Sequence, residues 1–414
     1  MKESGIDWIG QIPEEWRVRP IKHIVETPVT DGPHETPVLY ETGIPFLSAE
    51  AVKDGVLDFN YKRGYISLKD HDRFKKKISP KKDDIFIVKS GATTGNVGIV
   101  NTDEVFDIWS PLALIRCNNT LAIQKYIYFY LLSTLFKSQV EFNWSFGTQQ
   151  NIGMRVIERI KVILPPVSEQ QKIVEVLDKK TAQLDKVKAL LEEQIQKLKD
   201  YRASLIYETV TKGLDKTVPM KDSGIDWIGQ VPEGWGVSRL KYYFDIYAGG
   251  DIDERNTVEE YSESHPYPVL SNSLENEGVL GYTNKYRFKK NCVTVTGRGD
   301  VGKAVYRNIK FYPVVRLLVC VPKSQVDCRF VTYWINSAII EKNQTAVSQL
   351  TIQMLGELIF VNVPFLEQKN IADFLDKKTN QIDKLIQIKN QQIDNINKQR
   401  QTLIYDYVTG KKRA

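Results

Sequence analysis

The chain has 414 residues, 42% of them hydrophobic and 26% charged, with a net charge of +6. That length holds two domains with real cores, and no apolar run approaches the ~18 residues of a membrane helix. The charge sits mainly at one end, residues 366–414 carrying +4 and residues 213–365 none, so neither globular stretch could grip nucleic acid by bulk charge alone.

In chain order, a tryptophan signature comes first, Ser4-Gly-Ile-Asp-Trp-Ile-Gly-Gln-Ile-Pro-Glu-Glu-Trp16. Strand-like and helical runs then alternate up to residue 166. Asp84–Ser90 predicts a strand, Gly91–Gly98 a glycine-rich turn, Thr120–Phe136 a helix and Ser145–Ile152 a polar loop. Ile160–Leu164 predicts a strand stopped by Pro165 and Pro166. Ser168 to Lys212 contains no proline or glycine. Apolar residues recur there at Ile173, Leu177, Leu184, Val187, Leu191, Ile195, Leu198 and Leu205, and Leu177 to Leu205 step by sevens, as in a coiled-coil seam. Ser168 with Gln171 makes a capping box and Gly213 a stop. The helix so predicted is roughly 65 Å long at about 1.5 Å per residue.

The plan then repeats. The signature returns as Ser223–Trp235, followed by a strand at Cys292–Thr296, a glycine turn at Gly297–Gly302 and a helix over Val331–Lys342. A polar loop at Ser348–Ile352 and a strand at Leu358–Val363 complete the copy, and Arg73-Phe-Lys-Lys76 is echoed by Arg287-Phe-Lys-Lys290. Residues 367–409 form a second long helix, with Leu375, Ile382, Ile396 and Leu403 on its seam and Lys389 interrupting it. Both helices contain Leu-Asp-Lys-Lys-Thr, at Leu177–Thr181 and Leu375–Thr379, and Leu-Ile-Tyr, at Leu205–Tyr207 and Leu403–Tyr405. The signatures repeat at an offset of 219 residues and the helices at 198, so the first domain is longer by 21. The boundaries expected are 1–166, 167–212, 213–365 and 366–414. The expected fold is α+β: two similar α+β domains separated by two long antiparallel coiled-coil helices, in a pseudo-twofold cyclic arrangement with both chain ends near one end of the helix pair.

Gly297-Arg-Gly-Asp-Val-Gly302-Lys303-Ala304 resembles a phosphate loop. A P-loop needs a hydroxyl where Ala304 stands and a helix directly after it. Ala304–Arg307 and Val314–Val321 read as strands instead, so a glycine turn between strands, with Arg298 and Lys303 facing phosphate, is the better reading. No Asn-Pro-Pro-Tyr-like, His-Glu-x-x-His or Gly-x-Ser-x-Gly motif occurs, and the four histidines are scattered. Neither catalysis nor a metal is expected of this chain. The four cysteines show no metal spacing, and the opening MKESGIDW has no apolar signal core, which together suggest a cytoplasmic protein. Two classes remain: a DNA-binding subunit, or a non-catalytic coiled-coil adaptor that binds only proteins.

The duplicated plan resembles the specificity (S) subunit of a type I restriction–modification system. The likeness rests on Trp-x-Gly-x-x-Pro-x-x-Trp (Trp8–Trp16, Trp227–Trp235), on Pro-x-x-Glu-Gln at the helix starts (Pro166–Gln170, Pro364–Gln368), and on the long helices. It rests also on the Ser90-Gly-x-x-x-Gly95 turn and the Gly147–Ile152 loop; the second domain departs from both. The resemblance implies two target recognition domains, each reading one half of a split, asymmetric double-stranded DNA site. It implies helices that set the spacer and dock two modification (methyltransferase) subunits. Those partners would supply S-adenosylmethionine, and restriction/translocase subunits would use ATP and Mg²⁺. DNA contact is then expected from Lys89, Ser90, Thr93, Thr94, Gln149 and Gln150 in the first domain and from Arg298, Lys303 and Gln349 in the second. Partner contact is expected from Glu169, Gln170, Glu367 and Gln368.

Overall fold

The structure, a computed structural model, describes residues 1–6, 9–143, 145, 146, 150–273, 275–338 and 349–414. It divides into two compact units, Met1–Leu191 with Asn390–Ala414, and Glu192–Lys389.

The first unit runs through β1 (Arg17–Pro20), β2 (Thr30–Asp31), β3 (Ile44–Leu47), β4 (Val52–Lys53), β5 (Val56–Leu57), β6 (Gly64–Ile66) and α1 (Leu68–Phe74). It continues through β7 (Ile85–Val88), β8 (Val97–Ile99), β9 (Asp107–Ile108), β10 (Leu112–Ile115), α2 (Gln124–Leu132), α3 (Thr134–Phe142) and β11 (Lys161–Leu164) into the long helix α4 (Val167–Lys212). Six strands form one sheet in the order β2-β10-β7-β8-β5-β4, and three form another in the order β9-β3-β6. The unbroken apolar run of β7 marks a strand covered on both faces. Ile85 and Ile87 join the main core with α2, while Phe86 and Val88 join a second apolar cluster with Leu47 and Ile108 of the three-stranded sheet. One helix was expected over Thr120–Phe136. Two form instead, because Ser133 turns extended (ψ 159°) and its hydroxyl donates to the Tyr130 carbonyl at 2.5 Å.

The second unit repeats this with β12 (Gly236–Arg239), β13 (Phe244–Ala248), β14 (Thr257–Val258), β15 (Tyr267–Leu270), β16 (Val279–Thr283), β17 (Cys292–Thr296), β18 (Ala304–Arg307), β19 (Tyr312–Pro313) and β20 (Leu317–Pro322). Then come α5 (Cys328–Ser337), β21 (Ile359–Asn362) and the long helix α6 (Phe365–Val408). Its sheets run β13-β20-β17-β18 and β14-β16-β15-β19. In each unit the last strand pairs antiparallel with the first, β11 with β1 and β21 with β12, so the chain enters and leaves the domain side by side.

The long helices pair antiparallel inside each unit. In the first, Lys180 donates to the Tyr407 hydroxyl at 3.3 Å and Arg400 lies 3.4 Å from Asp185. In the second, Arg202 meets Asp383 at 3.1 Å and Lys389 donates to Gln194 at 2.5 Å. The shared Leu-Asp-Lys-Lys-Thr now has a physical reason. Leu177 and Leu375 are fully buried, and Thr181 and Thr379 are buried and bond back to their carbonyls at 2.7 and 2.8 Å. Asp178 pairs with Lys125 of α2, and Asp376 with Arg329 of α5. The motif is where each domain's own helix sits on the long one. Val187, expected on the seam, is 48% exposed. A straight helix drifts about 20° per heptad from a 3.5-residue repeat, which carries this position off the contact line.

Candidate nucleic-acid interface

Both domains join the glycine turn after their central strand to the polar loop that was expected to read DNA. In the first, Ser90 bridges Asn151, Ile152 N donates to the Lys89 carbonyl at 2.8 Å, and Gly91 N to the Gln150 carbonyl at 3.1 Å. In the second, Arg298 bridges Gln349, and Leu350 N donates to the Gly297 carbonyl at 2.9 Å. Ile152 and Leu350 are buried at equivalent places and peg the two loops down. Ser90 with Asn151 in one domain thus corresponds to Arg298 with Gln349 in the other.

The expected readers divide into two groups. Thr93, Gln150, Arg298, Lys303 and Gln349 are exposed and Ser90 is half-buried. No bond or ion pair engages the Arg298 or Lys303 side chain among the described residues, which leaves their donors free for a ligand. Gln149 lies outside the described residues. Lys89 and Thr94 do other work. The Lys89 ammonium is only 12% exposed and bonds Asp31 at 2.5 Å; Asp31 also takes Lys77 at 2.6 Å. Burial alone would raise the Asp31 carboxyl, but the bonds from Lys77 and Lys89 hold it below the usual carboxylate range. Thr94 is buried, its hydroxyl donating to the Gly91 and Gln150 carbonyls at 2.7 and 3.1 Å. Both side chains are spent on building the turn.

The partner-binding expectation for the Pro-x-x-Glu-Gln motifs is corrected. Gln170 is fully buried: it accepts from Ile123 N at 2.8 Å and donates to the Pro165 and Leu121 carbonyls at 2.9 and 3.2 Å. Gln368 is buried likewise, accepting from Asp327 N at 2.9 Å and donating to the Val363 carbonyl at 2.7 Å. Glu169 and Glu367 accept the indole N–H of Trp16 and Trp235, at 2.8 and 3.0 Å. Glu169 also holds Arg413 at 2.5 Å. These four residues latch each domain to its own long helix, and buried glutamines offer nothing to a partner.

Two side chains were missed. Asn151 forms the first domain's bridge to Ser90, and the buried Ile152 beside it was the available signal. Asn272 accepts from Gly297 N at 2.9 Å and donates to the Val315 carbonyl at 3.3 Å, clamping the second turn from 25 residues away in sequence. No local pattern marks it. Burial pushes the Cys117, Cys292 and Cys328 thiols up to about 12, which makes them poor nucleophiles. Among the described residues no group of His, Cys, Asp and Glu could hold a metal, and no helix is long and apolar enough to cross a membrane.

The family model described as the type I restriction modification DNA specificity domain matches the chain twice, over residues 13–199 and 232–398. The chain belongs to this family. A putative type I restriction enzyme MjaX specificity subunit of Methanocaldococcus jannaschii is 26% identical over 427 residues, covering 98% of this chain and 96% of that one. The MjaVIII specificity subunit of the same organism is 23% identical, covering 98% and 94%. A solved chain, from work on complex assembly and conformational transition of the type I R-M system, superposes with a TM-score of 0.74. It is 15% identical and covers 97% of this chain and all of that one, which supports the fold. As a type I specificity subunit the chain has a DNA-recognition role in its restriction–modification system and is not itself an enzyme.

Proposed function

We propose that each domain reads one half of a bipartite, asymmetric site in double-stranded DNA through its bridged turn and loop. Ser90, Thr93, Gln150 and Asn151 would serve one half, and Arg298, Lys303 and Gln349 the other. The observation that carries this reading is the shared bridge with different side chains on it, Ser90 with Asn151 against Arg298 with Gln349. One frame with two chemistries suits two unlike half-sites. Amide and guanidinium groups read base edges bidentately, while lysine mostly holds phosphate.

The long helices would set the unread spacer and dock two modification subunits, with restriction/translocase subunits completing the cytoplasmic complex. Each helix carries an exposed apolar pair suited to docking, Val187 and Leu190 on α4, Leu385 and Ile388 on α6. The pairs stand 198 residues apart, the offset of the helix repeat, so the same surface is offered twice. S-adenosylmethionine, ATP and Mg²⁺ would belong to the partners.

The test replaces residues 236–362 with the equivalent segment of a relative and maps genomic N6-methyladenine. One half of the methylated motif should change and the other should stay. A change in both halves, or in neither, would reject the reading.

A further inference from the structure

The two domains differ at one buried position in a way the fold does not require. Asp83 and Asn291 both adopt left-handed backbone (φ 69° and 67°), and their N–H groups donate to the Val100 and Arg307 carbonyls at 2.9 and 2.8 Å. Val100 and Arg307 therefore occupy the same place, at the end of β8 and of β18. In the first domain Val100 packs with Phe86 in the apolar cluster between the sheets. In the second, Thr294 replaces Phe86 and a guanidinium replaces the valine.

Arg307 is 6% exposed. Its Nε donates to the Thr294 hydroxyl at 3.0 Å, and among the described residues no carboxylate stands within ion-pair distance of it. A buried, unpaired cation is costly, and burial pulls the Arg307 pKa down, with Glu277 only partly opposing from beyond contact. The first domain folds with valine there, so stability is not what keeps the arginine.

Over the guanidinium lies a turn in an unusual conformation. Asn276, Glu277 and Gly278 are all left-handed (φ 46°, 54° and 81°), two of them without glycine's freedom. A Cβ on Gly278 would lie 3.8 Å from Arg307 Nη2. The turn closes where Ser271 N donates to the Gly278 carbonyl at 2.8 Å. The next residue, Asn272, clamps Gly297, directly before Arg298. A continuous path therefore runs from the buried cation through the turn to the exposed arginine.

We propose that Arg307 is a positioning residue for DNA reading by the second domain, its charge holding the left-handed turn that sets Asn272 and Arg298 against the half-site. The inference rests on the reading above. The carbonyl-rich turn and Glu277 supply the negative potential that the guanidinium faces, and neither would be held by an apolar side chain. The first domain, without the charge, has no such turn to hold.

The experiment uses the full chain co-expressed with its modification subunits, on duplexes carrying the methylated site with either half scrambled. R307M keeps the bulk and removes the charge. Its melting temperature should equal or exceed that of the wild type, discrimination against a scrambled second half should fall at least tenfold, and discrimination against a scrambled first half should stay within twofold. R307K, which keeps the charge, should retain most of the second-half discrimination. R307M that discriminates both halves like the wild type overturns the proposal, and so does an equal loss at both halves, which marks a merely structural role. Should R307M not fold, N272A cuts the same path at the surface: loss confined to the second half supports the proposal, and unchanged discrimination overturns it. A wild-type complex that prefers no duplex overturns the DNA reading itself, and this inference with it.

Discussion

The two domains are most alike where they meet the long helices and least alike where their second sheets face outward. At the helices, Trp16, Glu169 and Gln170 are matched by Trp235, Glu367 and Gln368, bond for bond. At the second sheet, the first domain lays α1 over the outer face, with Phe74 against Phe46 and His71 bonded to Asp107 at 2.6 Å. The second domain has no helix between β16 and β17. Tyr267 and Tyr286 meet edge to face there at 4.9 Å, with Lys310 over both rings. Attachment is held constant while the outer parts of the domain are free to differ, which is the division of labour a modular reader needs.

If attachment is shared, its loss should cost both units alike. Trp16 and Trp235 are buried, and a core Trp→Ala change costs about 3–5 kcal/mol. W16A and W235A should each lower stability by that amount, with amide exchange accelerating mainly in the mutated unit. A large cost in one unit alone would break the equivalence.

Docking offers a second contrast. The double variant V187D/L190D should remove one modification subunit and L385D/I388D the other, each leaving a one-to-one complex by native mass spectrometry. Full assembly with either variant would place the partners elsewhere. The smallest effect expected is at the reading turns. R298A should weaken discrimination of the second half-site by about 1–3 kcal/mol, the scale of one bidentate base contact, and N151A should do the same for the first. Competition binding with half-site mismatches measures both, and crossed effects would contradict independent reading.

Repetition made the architecture legible in the sequence. The signatures, the helix seams and the offsets of 219 and 198 required only that like segments fold alike. The glycine turns were legible too, because no helix could follow Gly302. What the sequence hid was the use of each polar residue. Glu169 and Gln170 look like surface residues on a solvated helix, and only the folded domain shows a buried glutamine meeting the Ile123 amide. Lys89 reads as a phosphate ligand until Asp31, 58 residues earlier, closes on it. Asn272 and Asn151 acquire roles from segments distant in the chain, and Val187 leaves the seam because a straight helix does not keep a seven-residue period. In each case the deciding partner is far away in sequence.

The division between the units falls inside both long helices, at Leu191 and Glu192 in one and at Lys389 and Asn390 in the other. The first unit is completed by the chain's last residues: Arg413 pairs with Glu15 and Glu169, and Gly410 lies against Pro13 and Trp16. A hypothetical ancestor with one signature, one domain and one long helix would have had to borrow that closing segment from a second molecule, and lend its own in return. Gene duplication with fusion would have turned that exchange between two identical partners into an internal one. From then on the two readers, tied to a single transcript, could drift toward different half-sites while the joints that once held two molecules together stayed fixed.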